Sequence, residues 1–248
     1  MKNYAIYFLL LLPFCPLQAQ TSGIVTYEEK MDLHSMLPPD REDMKDMIPQ
    51  FNTSRFELIF SGMESIYQPK KEEELTEEES MHEGRRMRFG GRGNRVVYKN
   101  LDLDTMIDSR EFMQKQFLVV GTPKKRQWKI GMEQKEIMGY ACLQATFQED
   151  SANTVVAWFC PRLTASNGPA DFQHLPGMIL QVDMNNGQRT ITATEIKLEE
   201  VDPTVLIAPT KGKEVTPEEF EEIQREKMKE MGGQPGGPGS GRMIFMRG

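Results

Sequence analysis

The chain has 248 residues, room for one domain of ordinary size with appendages, and its 38% apolar content is enough for a core. A net charge of −7 argues against a general nucleic-acid binder, and only 3 His weaken any His-based metal site or proton relay. Methionine is in excess, at 18 residues.

Lys2, the apolar run 5–12 and then Pro13, Pro16 and Leu17-Gln18-Ala19 read as a secretory signal peptide over 1–19. The run is far shorter than the ~20 residues that span a bilayer. Cys15 does not mark a lipoprotein, because bulky Phe14 precedes it. The expectation is a periplasmic or secreted chain, not membrane-spanning once the signal is cleaved. Residues 20–208 are expected to form a single β-rich domain.

Residues 23–28 open as a strand. Asp40 then caps a short inserted helix, with Met44, Met47 and Ile48 on one side and Pro49 at its end. Residues 55–60 and 63–68 alternate as strands around the Ser61-Gly62 turn. Residues 70–94 differ: six Glu lie within 72–79 and five Arg within 85–95. With little apolar content, this reads as a charged mobile loop that pairs with itself.

Strand signals resume at 95–100, 117–120 and 127–130. Segments 141–148 and 154–160 form a hairpin pattern. A turn centred on Ser151 pairs Leu143 with Phe159, Ala145 with Ala157 and Phe147 with Val155. The same register places Cys142 opposite Cys160, on the face that carries Trp158 and Val156. A disulfide is geometrically possible there, and two buried free thiols are the alternative. A catalytic thiol is not expected, since neither Cys has a His or carboxylate beside it in the pattern. Residues 178–183 and 189–198 flank an Asn186-Gly187 hairpin turn and place Val182 opposite Ile191.

Roughly ten strands with short connections imply a mainly β fold: a curved antiparallel sheet or open half-barrel, with a short inserted helix and a C-terminal helix. Thr216-Pro217-Glu218-Glu219 is a capping box that starts this helix within 209–232, and Gly232-Gly233 ends it. Residues 233–248 are a Gly/Pro-rich tail with an apolar island between Arg242 and Arg247. It is read as a disordered tail, with an added edge strand or docking segment as the alternative.

A series of spaced motifs carries a family resemblance. It runs through Trp128-Lys129-Ile130, Glu133, Lys135, Ile137, Gly139-Tyr140, Cys142, Ala157-Trp158-Phe159, Gly168-Pro169, Phe172 and Leu175 to Leu180. The order resembles the GLPGLI family of exported proteins from Gram-negative bacteria. The signature itself is His174, Leu175, Pro176, Gly177, Met178 and Ile179, with His174 where the family usually has Gly and Met178 where it has Leu. The resemblance implies export to the periplasm or envelope and a β-rich domain, and it brings no catalytic residues. The signature reads as structural, with Pro176-Gly177 at the centre of a type II turn.

No nucleophile–His pair, phosphate loop or zinc spacing is present, so no enzyme and no cofactor are expected. The partner is unknown. The leading expectation is a binding or carrier module that holds an apolar ligand or a protein segment on the concave sheet face. One alternative is soft-metal binding through Met44 and Met47, Met228 and Met231, and a cluster of Met81, His82 and Met87, because thioethers select Cu(I). Another is a structural or interaction protein of the envelope.

Overall fold

The computed structural model describes residues 21–37, 39–70, 95–149 and 153–230. In chain order, β1 (Ser22–Asp32) leads through 3-10 turns at His34–Met36 and Pro39–Asp46 to β2 (Phe51–Ser61), β3 (Glu64–Pro69), β4 (Val96–Asn100), β5 (Thr105–Phe112) and β6 (Lys115–Gly121). Then come β7 (Lys129–Ile137), β8 (Tyr140–Gln148), β9 (Thr154–Cys160), β10 (Met178–Met184) and β11 (Arg189–Lys197). A 3-10 turn at Pro203–Val205, β12 (Lys213–Val215) and helix α1 (Pro217–Glu230) complete the described chain.

The strands form one open, curved sheet of twelve, in the order β12-β6-β5-β4-β3-β2-β1-β11-β10-β9-β8-β7. Two antiparallel meanders meet where β11 pairs with β1. Strand β12 runs parallel to β6.

Local chemistry sets the hairpins. Asn186 (φ 53°) and Gly187 (φ 85°) occupy the left-handed positions of a type I′ turn, closed by Gln188 N–H donating to the Asn185 carbonyl at 3.4 Å. Val182 lies opposite Ile191. The β8–β9 register pairs Leu143 with Phe159, Ala145 with Ala157 and Phe147 with Val155, as the alternation predicts. At α1, Thr216 N–H donates to Glu219 Oε2 (2.8 Å) while Glu219 N–H donates to Thr216 Oγ1 (3.2 Å), the reciprocal capping box.

Two expectations are corrected. The inserted helix is a 3-10 turn over Pro39–Asp46, and Met47 is 79% exposed, because that segment has too few apolar residues to bury a helical stripe. Strands β5 and β12 join the ten expected ones: β5 carries a charge on its inner side, and β12 has only three residues. The C-terminal helix begins at Pro217, as the Thr216 capping box predicts, and Lys213–Val215 before it is a strand.

The core lines the inner face. Val25, Tyr27, Phe56, Leu58, Tyr67 and Val97 from one half share a cluster with Ala145, Ala157, Phe159, Leu180, Val182 and Ile191 from the other. At the β5–β6 end, Phe220 of α1 packs on Phe112, Phe117, Val119 and Val215. On the outer face, Val201 and Leu206 cover Ile59 and Ile66. No helix among the described residues is long and apolar enough to cross a membrane. The expected signal peptide, all but the first residue of the charged loop, the centre of the β8–β9 turn and the C-terminal tail lie outside the described residues.

Candidate functional site

The concave face is occupied by the chain itself. Segment 161–177, between β9 and β10, buries Leu163, Ala165, Ala170, Phe172 and Leu175 in the main core. Its ends are tied together: Leu163 N–H donates to the Cys160 carbonyl (3.2 Å), and Met178 N–H donates to the Leu163 carbonyl (2.9 Å). Ile179 N–H reaches the Asn167 carbonyl (2.9 Å), and the Tyr27 hydroxyl donates to the Ile179 carbonyl (2.7 Å). The segment is a plug anchored to the sheet by backbone and side-chain hydrogen bonds. The apolar concavity expected to hold a ligand is filled by it.

The signature residues build the plug's return. Leu175, Met178 and Ile179 are fully or almost fully buried, whereas Pro176 and His174 are exposed. The expected type II turn is not formed. Gly177 N–H donates to the Leu175 carbonyl at 2.7 Å across Pro176, a three-residue turn, and Met178 N–H turns to Leu163 instead. Gly177 has φ 144°, and a Cβ there would collide with the Cys160 carbonyl, so only glycine fits. His174 is left-handed, with φ 67°, the conformation that suits a glycine.

Beneath the plug lies an ionic cluster that pattern reading missed. Fully buried Lys99 donates from Nζ to the Gly168 carbonyl (2.8 Å) and the Phe172 carbonyl (3.5 Å). Asp171 pairs with Arg126. Asp108 takes Arg95 (2.6 Å) and Arg110, and Glu29 takes Arg189 (2.8 Å). Burial alone would raise the carboxyls of Asp108 and Asp171, but the facing guanidinium groups outweigh it and hold both below the usual range. Burial pushes Lys99 down to about 7, partly opposed by Asp171. All three carboxylates are paired with arginines. The alternation Arg95, Val97, Lys99 was the available signal. It reads equally as a solvated face, and only the plug decides between the two.

The outer face of β8–β11 is different. A row of side chains crosses it in register and continues onto β1: Gln144 opposite Trp158, Trp158 opposite Gln181, Gln181 opposite Thr192, and Thr192 opposite Glu28 of β1. All five are half-buried, as expected of side chains on an open sheet face. Lys135 Nζ lies 4.2 Å from the centre of the Trp158 ring and donates to Gln181 Oε1.

Cys142 and Cys160 are buried, unbonded thiols in this structure. Burial, then the neighbouring Cys160, pushes the Cys142 thiol up to about 11. Met44 is half-buried on the 3-10 turn, Met47 is exposed just past its end, and Met228 is half-buried on α1. Met81, His82, Met87 and Met231 lie outside the described residues. Among the described residues no group of three or more His, Cys, Asp or Glu is placed to hold a metal ion.

No curated protein matches the chain. The family model described as the N-glycanase peptide, N-terminal domain matches residues 101–217. Among solved structures, PNGF-II in its P21 crystal form aligns with a TM-score of 0.53 at 15% identity, covering 82% of this chain and 33% of that one. Its C2 crystal form aligns with the same TM-score and identity, over 82% of this chain and 32% of that chain. This chain therefore spans about a third of the length of those structures and is similar to them in fold.

Proposed function

We propose that the chain is an exported, non-catalytic binding module of the GLPGLI type that recognises a glycan on the outer face of β8–β11. The observation that carries this reading is the row Gln144–Trp158–Gln181–Thr192–Glu28, five aligned side chains on one sheet face. With neighbouring strands roughly 4.8 Å apart, it runs for roughly 20 Å. Amides, a hydroxyl, a carboxylate and an indole are groups that suit a sugar, which must displace Lys135 from the Trp158 ring and Gln181 Oε1, and Glu133 from Gln144 Nε2. The family model that matches residues 101–217 is named for an N-glycanase, which points to the class of partner. The filled inner face argues against carriage of an apolar ligand. The copper alternative rests on Met spacing alone.

The test is binding to an immobilised glycoprotein before and after enzymatic removal of its N-glycans. Binding that disappears with the glycans, and that weakens at least tenfold in a folded Trp158→Ala/Gln181→Ala variant, supports the reading. Equal binding to the stripped protein, or no binding at all, overturns it.

A further inference from the structure

We propose that Cys142 and Cys160 are a covalent modification site, joining as a cross-strand disulfide that ties β8 to β9 at the root of the plug. The β8–β9 ladder pairs Leu143 with Phe159, so one step further along places Cys142 opposite Cys160. Opposite residues of an antiparallel pair point to the same face, with Cα atoms about 4.5–5.5 Å apart. That span lies inside the disulfide range of about 4.4–6.8 Å. Each thiol has a second strand beside it: Cys142 lies opposite Lys135 of β7, and Cys160 lies opposite Met178 of β10.

Cys160 is also where the plug leaves and returns. Its carbonyl accepts from Leu163 at the outgoing end and meets Gly177 at the incoming end. A bond at Sγ of Cys160 would therefore fix the point on which both ends of the plug rest. The bond would close a loop of 19 residues, from 142 to 160, which is a substantial restriction of the unfolded chain.

The oxidant is a disulfide, either a low-molecular-weight one or a protein one. One thiolate attacks it, forming a mixed disulfide and expelling a thiolate. The second cysteine thiolate then displaces the remaining oxidant sulfur. The Cys142–Cys160 bond forms, the oxidant's S–S bond breaks, and two electrons and two protons pass to the oxidant as two thiols. Both side chains are fully buried in the folded chain, so the bond forms while β8 and β9 are still open.

The full chain is refolded from denaturant in a glutathione redox buffer, alkylated under denaturing conditions and mapped without reduction. A peptide linking Cys142 to Cys160, with Cys15 alkylated, is the expected result. Reduction should then lower the thermal midpoint by roughly 5–10 °C, with no such change in Cys142→Ser/Cys160→Ser. Alkylation of both thiols in full yield after oxidative refolding overturns the proposal, as does a link involving Cys15. A Cys142–Cys160 link whose reduction leaves the midpoint unchanged overturns the tie to the plug. The mapping needs no variant, so a serine variant that fails to fold does not affect it.

Discussion

Lys99, on the inner face of β4, holds the plug through the backbone of Gly168, its Nζ lying 2.8 Å from that carbonyl oxygen. The charges that act on it are Asp171, which favours its proton, and Arg126 and Arg95, which oppose it. Its folded value of about 7 lies below the ordinary 10.5, so the fold prefers the neutral amine. The destabilisation is full below pH 7, fades as pH rises from 7 towards 10.5, and is absent above that. Stability of the parent protein should therefore rise across this window relative to Lys99→Met, by on the order of a few kcal/mol. Urea unfolding midpoints at pH 6, 8 and 10 check this, and parallel pH profiles for the two proteins would sink it.

Gly177→Ala should be among the most damaging single changes. The added Cβ would meet the Cys160 carbonyl at a φ of 144°, and neither backbone can yield without moving the plug. A loss of about 3 kcal/mol or more, or failure to fold, is expected. Gly62→Ala is the control. Its φ is 60° and its Cβ meets nothing within 4 Å, so only the left-handed strain of about 1–2 kcal/mol applies.

His174→Gly should stabilise. The side chain is exposed and the backbone is left-handed, so glycine removes strain but gives up the imidazole's hydrogen bond with the Lys124 backbone. Set against the greater freedom of glycine in the unfolded chain, a net gain of about 0.5–1 kcal/mol is expected. Chemical denaturation reads it directly, and a loss of stability would show that the imidazole makes a contact worth more than the strain.

Removing one partner of the Asp171–Arg126 pair leaves a buried charge uncompensated. Asp171→Ala is expected to cost about 3–5 kcal/mol. Because Asp171 also favours the proton on Lys99, the same variant should lower the Lys99 pKa further. The double variant Asp171→Ala/Arg126→Ala should cost less than the sum of the two single changes, which a double-mutant cycle measures.

Met44→Leu/Met47→Leu should leave any Cu(I) stoichiometry unchanged. Met44 lies on the 3-10 turn and Met47 just past its end, where its thioether is 79% exposed to water. Titration of the parent and variant with Cu(I) under reducing conditions decides it, and the loss of one equivalent would restore the pair as a ligand set.

Much of the fold was legible because it rests on short-range rules. The Asn186-Gly187 turn, the Thr216–Glu219 capping box and the β8–β9 register each depend on residues within about twenty positions of one another. Strand β5 escaped because its inner residue Asp108 reads as a solvent-facing charge until Arg95 and Arg110 are placed around it. The turn at Pro176-Gly177 was located correctly but given the wrong geometry. Its hydrogen bonds are set by Leu163 and its glycine by Cys160, and neither lies within the tetrapeptide.

The amino-acid sequence by itself determined a mainly β chain with a capped C-terminal helix, since alternation, turn residues and caps act locally. Only the tertiary structure decided what the curved sheet encloses. Lys99 and Gly168 are 69 residues apart, and Glu29 and Arg189 are 160 apart. A charge at an inward strand position looks the same in one dimension whether water or a buried partner faces it. The partner appears only when β1 closes on β11 and segment 161–177 fills the bowl.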